Sequence, residues 1–287
     1  MLTDGRSLSA NTVLKVDLCV IGTGPAGLTI AQELSGSGLQ ILLLERGDVS
    51  DEPVDLPSNL EFESPHFPSP VESIHHQFGG MAGVWNVRML DGVTPAARYL
   101  PLDPIDFETR DWVPNSGWPI TFDQLAPYYG RARTLCHIGP FDFHGSLPDT
   151  GRIPLSSPSG ALVTRLEQLG PSTVFTQQSL VDLTASDYVR VVTNAAAVEL
   201  KSADGTDDRM ATISARSGTG IPFAIRSRVV VVAAGAIENA RLLLNSTAEC
   251  PSGLGNGSDN VGRFFMDHPK LLLGAGDLPP ITSPLLR

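Results

Sequence analysis

Apolar positions along the chain fall into three short runs set among glycines, and a longer stretch that alternates. Residues 14–22, LKVDLCVIG, form a β-branched apolar run after a polar start and predict a buried parallel strand. Residues 24–38, GPAGLTIAQELSGSG, space Leu28, Ile30, Ala31 and Leu34 for one helix face, with Gly36 and Gly38 as the stop. Residues 39–45, LQILLLE, predict a second strand. Strand, glycine turn, helix and strand within about thirty residues make a βαβ crossover. Late in the chain, Val229–Ala234 is an intensely apolar strand, followed by Gly235 and a helix to about Leu244.

The intervening sequence is less regular. Residues 47–78 are loop-like, with prolines at 53, 57, 65, 68 and 70, and residues 79–92 are glycine-rich with one tryptophan. Residues 95–150 carry aromatics and prolines, with a helix predicted at 121–135, Thr121 as its N-cap and Asp123 in its first turn. A short helix is predicted at 160–169. Strands are predicted at 173–176, 189–193, 196–202, 210–216 and 222–226, read as an antiparallel meander with turns at Asp204-Gly205 and Gly218–Gly220. The fold class is therefore α/β, a Rossmann-like nucleotide domain with a parallel sheet plus an antiparallel meander.

Composition narrows the function classes. The chain has 287 residues, 41% hydrophobic and 18% charged, enough for a sizeable core. That excludes a disordered acidic chain despite the formal net charge of −11. Asp and Glu number 31 against 20 Lys and Arg, which argues against nucleic acid as a partner. Cys19, Cys136 and Cys250 stand far apart and give neither a disulfide framework nor zinc spacing, and Cys19 reads as a small core residue. His137 and His144 lack companions at ligand spacing, so no metal is expected. No Gly-x-Ser-x-Gly elbow supports a hydrolase. The first ten residues are polar, without signal or twin-arginine features, and no apolar run approaches the roughly 20 residues of a membrane helix. A cytoplasmic protein with no membrane span is expected.

The candidate chemistry lies in Gly22-Thr23-Gly24-Pro25-Ala26-Gly27, which matches Gly-x-Gly-x-x-Gly. Gly22 serves the tight turn off the strand, Gly24 lets backbone N–H groups approach a pyrophosphate, and Gly27 lets the helix pack close to the sheet. The helix N-terminus, opening at Pro25 and Ala26, offers unpaired N–H groups and a positive dipole end to phosphates. Glu45 ends the next strand, placed to accept from a ribose, and it disfavours a 2′-phosphate. Arg46 follows it. An N-terminal fingerprint, Glu45-Arg46-Gly47 and a second strand–glycine element ending in Ala234-Gly235 favour FAD over NAD, because an extended FAD benefits from a second glycine turn.

Four blocks resemble the glucose–methanol–choline oxidoreductases, in the branch of pyranose oxidase-like and sugar or polyol dehydrogenase-like members. They are VDLCVIGTGPAGLTIAQEL with LLLERG, Phe78-Gly-Gly-Met-Ala-Gly-Val-Trp-Asn86, VVVVAAGAIENARLLLNS at 229–246, and Asn260-Val-Gly-Arg-Phe-Phe-Met-Asp-His-Pro269. Asn115-Ser-Gly-Trp-Pro-Ile-Thr with Pro127-Tyr-Tyr129 is also similar. The resemblance covers about residues 14–269, and its third and fourth blocks together are the more specific. It implies that Gly79, Gly80, Trp85 and Asn86 lie along the flavin and that Ala197 touches adenine. It further implies that Ala234 and Gly235 line the pyrophosphate side and that Asp267 and His268 sit near the isoalloxazine end. Covalently flavinylated members of the branch carry a histidine where this chain has Val84, so FAD is expected to be held non-covalently.

The implied organisation is FAD-binding segments at 12–49, 71–94 and 159–269, a loop or cap at 50–70, a cap or substrate-side excursion at 95–158, and the start of an incomplete substrate domain at 270–287. The implied reaction oxidises a small alcohol, sugar or polyol, with hydride passing to flavin N5 and a base taking the hydroxyl proton. The family's catalytic histidine lies in a C-terminal half, so the base is expected beyond Arg287 and the chain reads as an N-terminal fragment. The alternatives are a non-catalytic flavin-fold module and an NAD-reading Rossmann enzyme. Nothing in the sequence pairs with His75 or His76, which read as loop histidines, and His268 beside Pro269 reads as structural. Trp112, Trp118, Tyr128 and Tyr129 read as cap core.

Overall fold

The computed structural model of the protein describes residues 1–50, 74–88, 95–139, 168–202 and 210–266. It divides into two compact units, one of residues 1–84 with 175–286 and one of residues 85–174 with the terminal arginine.

The first unit is built on a seven-stranded sheet. In chain order its strands are β1 (Leu2–Asp4), β2 (Val13–Ile21), β3 (Ile41–Leu44), β7 (Val189–Thr193), β8 (Ala195–Lys201), β9 (Ala211–Ser217) and β10 (Pro222–Val232), and in space they run β1-β7-β3-β2-β10-β9-β8. All pairings from β1 across to β10 are parallel, while β10–β9 and β9–β8 are antiparallel. The centre reads as apolar runs because both faces are covered. Ile41, Leu42, Leu43 and Leu44 of β3 are all buried, as are Cys19 and Val20 of β2. Helix α1 (Pro25–Leu34) buries Gly27, Leu28 and Ala31. Helix α3 (Ser179–Thr184) leads into β7, and α4 (Ala236–Asn245) buries Leu242 against the core that holds Ile21, Leu44, Ile213 and Ile225.

The second unit carries β4 (Asn86–Arg88), β5 (Pro95–Tyr99) and β6 (Gln168–Pro171) as a three-stranded antiparallel sheet, with helix α2 (Phe122–Leu135). Thr121 caps α2 as predicted: its hydroxyl accepts from Gln124 N–H at 3.3 Å while the Gln124 side chain accepts from Thr121 N–H at 2.9 Å.

Several sequence expectations are corrected. Residues 173–176 are not a strand: Val174–Gln178 form a π-helical turn running into α3, and the strand lies earlier, at β6, in the second unit. Most of the predicted 160–169 helix lies outside the described residues, and its end, Gln168 and Leu169, belongs to β6. Residues 189–193 do not join the meander but insert between β1 and β3 in the parallel half. Residues 222–226 and 229–234 are not two strands. β10 is one strand of 11 residues that pairs antiparallel with β9 through its first half and parallel with β2 through most of its length. The polar N-terminus supplies the edge strand β1, held by backbone pairing rather than by an apolar pattern. Trp112, Trp118 and Tyr128 are exposed rather than buried, because Phe107 takes the buried aromatic position of their unit. Trp118 and Phe122 lean on that ring with centroids 6.1 Å away.

Among the described residues no helix is long and apolar enough to cross a membrane, and no three His, Cys, Asp or Glu side chains group as metal ligands.

Candidate dinucleotide site

The parallel half of the sheet delivers β2, β3 and β10 to one edge, where their C-terminal ends open onto a cavity of about 590 Å³. A cavity of this size suits a small-molecule or cofactor site. The floor is the turn from β2 into α1. Gly22 has φ +101°, and a Cβ there would stand 2.5 Å from the carbonyl oxygen of Ala233, just past β10, so only glycine makes this turn. A Cβ on Gly27 would stand 2.1 Å from the Gly22 carbonyl oxygen, so α1 seats against the loop only because that side chain is absent.

Gly24 behaves differently. It N-caps α1 at φ −66°, an ordinary conformation, and a Cβ there would meet nothing within 4 Å. Its missing side chain leaves open space beside the helix N-terminus. Intrahelical bonding in α1 starts at Leu28, whose N–H donates to Gly24 C=O at 3.0 Å, and the first turn carries no acidic residue. The donors before it and the helix dipole form an anion receptacle.

Glu45 ends β3 and is buried, with its carboxylate anchored on both oxygens. Oε2 accepts from Thr23 N–H at 3.0 Å and Thr23 Oγ1 at 2.6 Å, and Oε1 accepts from Gly47 N–H at 2.8 Å. Burial pushes the carboxyl above its ordinary range, and those hydrogen bonds oppose the shift. The opposite wall is Ala195–Ala197 of β8, three small side chains that leave room for a flat ring, with the Ala234-Gly235 turn above.

A cluster of charge lines the same cavity. Arg241 grips Glu238 through bonds of 3.0, 3.0 and 2.6 Å, one helical turn apart on α4. Burial alone would raise Glu238, but the Arg241 hydrogen bonds, with His76 and Arg46 nearby, hold its carboxyl below the usual range. Arg46 is lowered first by burial. His76 is depressed to about 4 by burial and then by the Arg46 charge, so it is neutral near pH 7. Its Nε2 is shielded and has no hydrogen-bond partner.

The structure thus brings together Gly22, Gly24, Pro25, Ala26, Glu45, Arg46, Gly80, Ala197, Ala234 and Gly235 around one cavity, with Gly27 behind the loop. Gly79 supports it from the side, its N–H donating to Thr23 C=O at 3.1 Å. Trp85 and Asn86 belong to the second unit, where Trp85 is exposed. Asp267 and His268 lie outside the described residues. His75 and His76 lie in a segment without regular secondary structure, as read from the sequence, with His75 exposed and His76 half-buried, and both line the cavity, because Gln77 bridges Asp48 and carries the segment alongside the turn after β3. Thr23, Glu238, Asn239 and Arg241 were not singled out from the sequence. Their roles depend on partners across the fold, except for the Glu238–Arg241 spacing of three, which was a readable helical pair.

Parallel strands ending on a glycine-cradled helix N-terminus, with a buried acid beside it, define a Rossmann-type dinucleotide-binding domain of the FAD-binding kind. The family description "NAD(P)-binding Rossmann-like domain" matches residues 20–50, the βαβ crossover itself. The chain is similar to 6'''-hydroxyparomomycin C oxidase of Streptomyces lividus, 27% identical over 315 residues, covering 92% of this chain and 56% of that protein. It is similar to 2-methyl-1,2-propanediol dehydrogenase of Mycolicibacterium austroafricanum, 23% identical over 307 residues, covering 88% of this chain and 55% of that protein. It is also similar to the fructose dehydrogenase large subunit of Gluconobacter japonicus, 23% identical over 346 residues, covering 96% of this chain and 62% of that protein. The chain spans about half the length of the curated relatives it matches. These likenesses bear out the resemblance to the glucose–methanol–choline oxidoreductases seen in the motifs.

Proposed function

We propose that the protein is an FAD-dependent oxidoreductase that converts a CH–OH group of a sugar, polyol or related small alcohol to a carbonyl. The observation that carries this is the single cavity joining the glycine cradle at Gly24, the buried acceptor Glu45, the three-alanine wall and the Ala234-Gly235 turn. Those residues fit the successive parts of an extended dinucleotide: phosphates at the α1 N-terminus, a ribose at Glu45, and a planar ring against Ala195–Ala197. Bound there, FAD would supply the hydride-accepting chemistry, while the protein binds and orients it. A sugar or polyol is favoured because the named relatives are an oxidase of 6'''-hydroxyparomomycin C and dehydrogenases of 2-methyl-1,2-propanediol and fructose. The base that takes the hydroxyl proton is proposed to lie outside these 287 residues, and the cofactor to be non-covalent because Val84 stands where a flavin-linking histidine would be. A cytoplasmic location is part of the same proposal.

The test uses the full native polypeptide. Visible flavin absorbance on purification, full release of the colour on acid precipitation, and anaerobic bleaching by one member of a sugar and polyol panel are the expected results. Flavin that no alcohol bleaches points to a non-catalytic module, and no flavin binding rejects the proposal.

A further inference from the structure

Thr23 occupies the variable position between the first two glycines of the loop, where a phosphate-binding turn makes no demand on side-chain chemistry. It is nevertheless fully buried, at 0% exposure, and it is the node of three contacts. Its N–H and its hydroxyl both donate to Glu45 Oε2, and its carbonyl accepts from Gly79 N–H. A carboxylate oxygen has roughly two acceptor positions. Oε2 is therefore filled by Thr23, whereas Oε1 accepts from Gly47 N–H, with the Arg46 N–H also directed at the carboxylate.

We infer that Thr23 is a positioning residue for the cofactor: it locks the Glu45 carboxylate and the Gly79 turn around the cavity so that Oε1 is presented to the ribose of the bound dinucleotide. This rests on the FAD reading above. A packing role alone would be met by any β-branched side chain of the same volume. The hydroxyl bond of 2.6 Å to a buried acid is what valine could not supply.

The role has a pH signature. Ionised Glu45 is the stronger acceptor for a ribose hydroxyl, and burial opposes ionisation, so cofactor affinity falls as pH drops through the raised Glu45 value. The Thr23 hydroxyl favours the charged form, and removing it moves that acid limb to higher pH. The ionisable groups facing this region are Arg46, next in the chain, and His75, His76, Glu238 and Arg241 across the cavity. His76 is neutral near pH 7, and the Glu238 carboxyl is held below its usual range.

The experiment titrates FAD into the apo form of the full native polypeptide between acid and neutral pH. Thr23→Val is expected to bind FAD about tenfold more weakly at neutral pH and to raise the acid limb by about one pH unit. Thr23→Ser restores both. Glu45→Gln removes the limb, and adding Thr23→Val to it changes nothing further. If Thr23→Val does not fold, Thr23→Ser against Thr23→Ala isolates the hydroxyl in the same way. An unchanged limb in Thr23→Val, a loss confined to thermal stability, or additive losses with Glu45→Gln overturns the inference. Failure of the wild-type protein to bind FAD overturns the parent proposal instead, and this inference with it.

Discussion

Two strand–glycine–helix turns face the same cavity, built from the same parts, and they differ in the charge they bring to the helix N-terminus. After β2, the chain turns at Gly22 and enters α1 with no acidic residue in the first turn and no side-chain cap, so the first-turn donors remain available. After β10, it turns at Gly235 and enters α4 with Glu238 in the first turn, already clamped by Arg241. Asn239 reaches back to accept from Ala234 N–H at 2.8 Å, as Glu45 accepts from Thr23 N–H at 3.0 Å in the first turn. The first turn is an anion receptacle free of acid, and the second carries its own acid, paired with Arg241. A glycine after an apolar strand therefore does not make a phosphate site by itself. What matters is whether an acidic side chain already stands at the helix N-terminus.

The largest break in this comparison is expected at Gly27. Alanine there drives its Cβ into the Gly22 carbonyl, and urea unfolding should show a loss of more than about 3 kcal/mol together with loss of bound flavin. Gly235→Ala is the counterpart in the second turn. The position has φ 88° and ψ 161°, a region kept for glycine, but nothing lies within 4 Å of the added carbon. The expected loss is about 2 kcal/mol of conformational strain, and FAD affinity is expected to fall with it, because the position lines the same cavity.

A smaller effect is expected at His76, which packs by the α4 wall. In the unfolded chain it titrates near 6.5 and in the folded protein near 4, so the unfolded state binds a proton that the native state refuses. Stability is therefore lost as pH falls from 6.5 toward 4. His76→Gln should flatten that decline by about 1 kcal/mol, after allowance for partial exposure, read as about 3 °C in melting temperature at the acid end. The smallest effect on stability is expected at Gly24. Its backbone is ordinary and its surroundings open, so alanine should leave unfolding unchanged within about 0.5 kcal/mol. FAD affinity should fall at least about tenfold, because the new methyl occupies the cofactor's space. Unchanged affinity in Gly24→Ala would remove the receptacle from the first turn and erase the contrast.

The β2–α1–β3 crossover was readable because its instructions are local. An apolar run, a glycine triplet and a helical spacing of Leu28 and Ala31 are each complete within a few residues, and steric rules at Gly22 and Gly27 act between neighbours in the chain. The α2 cap at Thr121 was readable for the same reason. Strand β7 was seen as a strand, but its place was not, since parallel pairing with β1 and β3 leaves no mark distinct from a meander strand's. The joining of 222–232 into one strand was likewise hidden, because β2 is its partner across some two hundred residues.

At the site, residue types in the sequence declared the glycine cradle, the acid at 45 and the second turn at 235. The chain's folding decided how that acid is held and which histidine is neutral. Those properties arise where Thr23 meets Glu45 and where His76 meets Arg46, and burial there sets hydrogen bonds and charges that no stretch of sequence contains. Local sterics and periodicity are written along the chain, whereas electrostatics and hydrogen-bond saturation exist only between segments that the fold brings together.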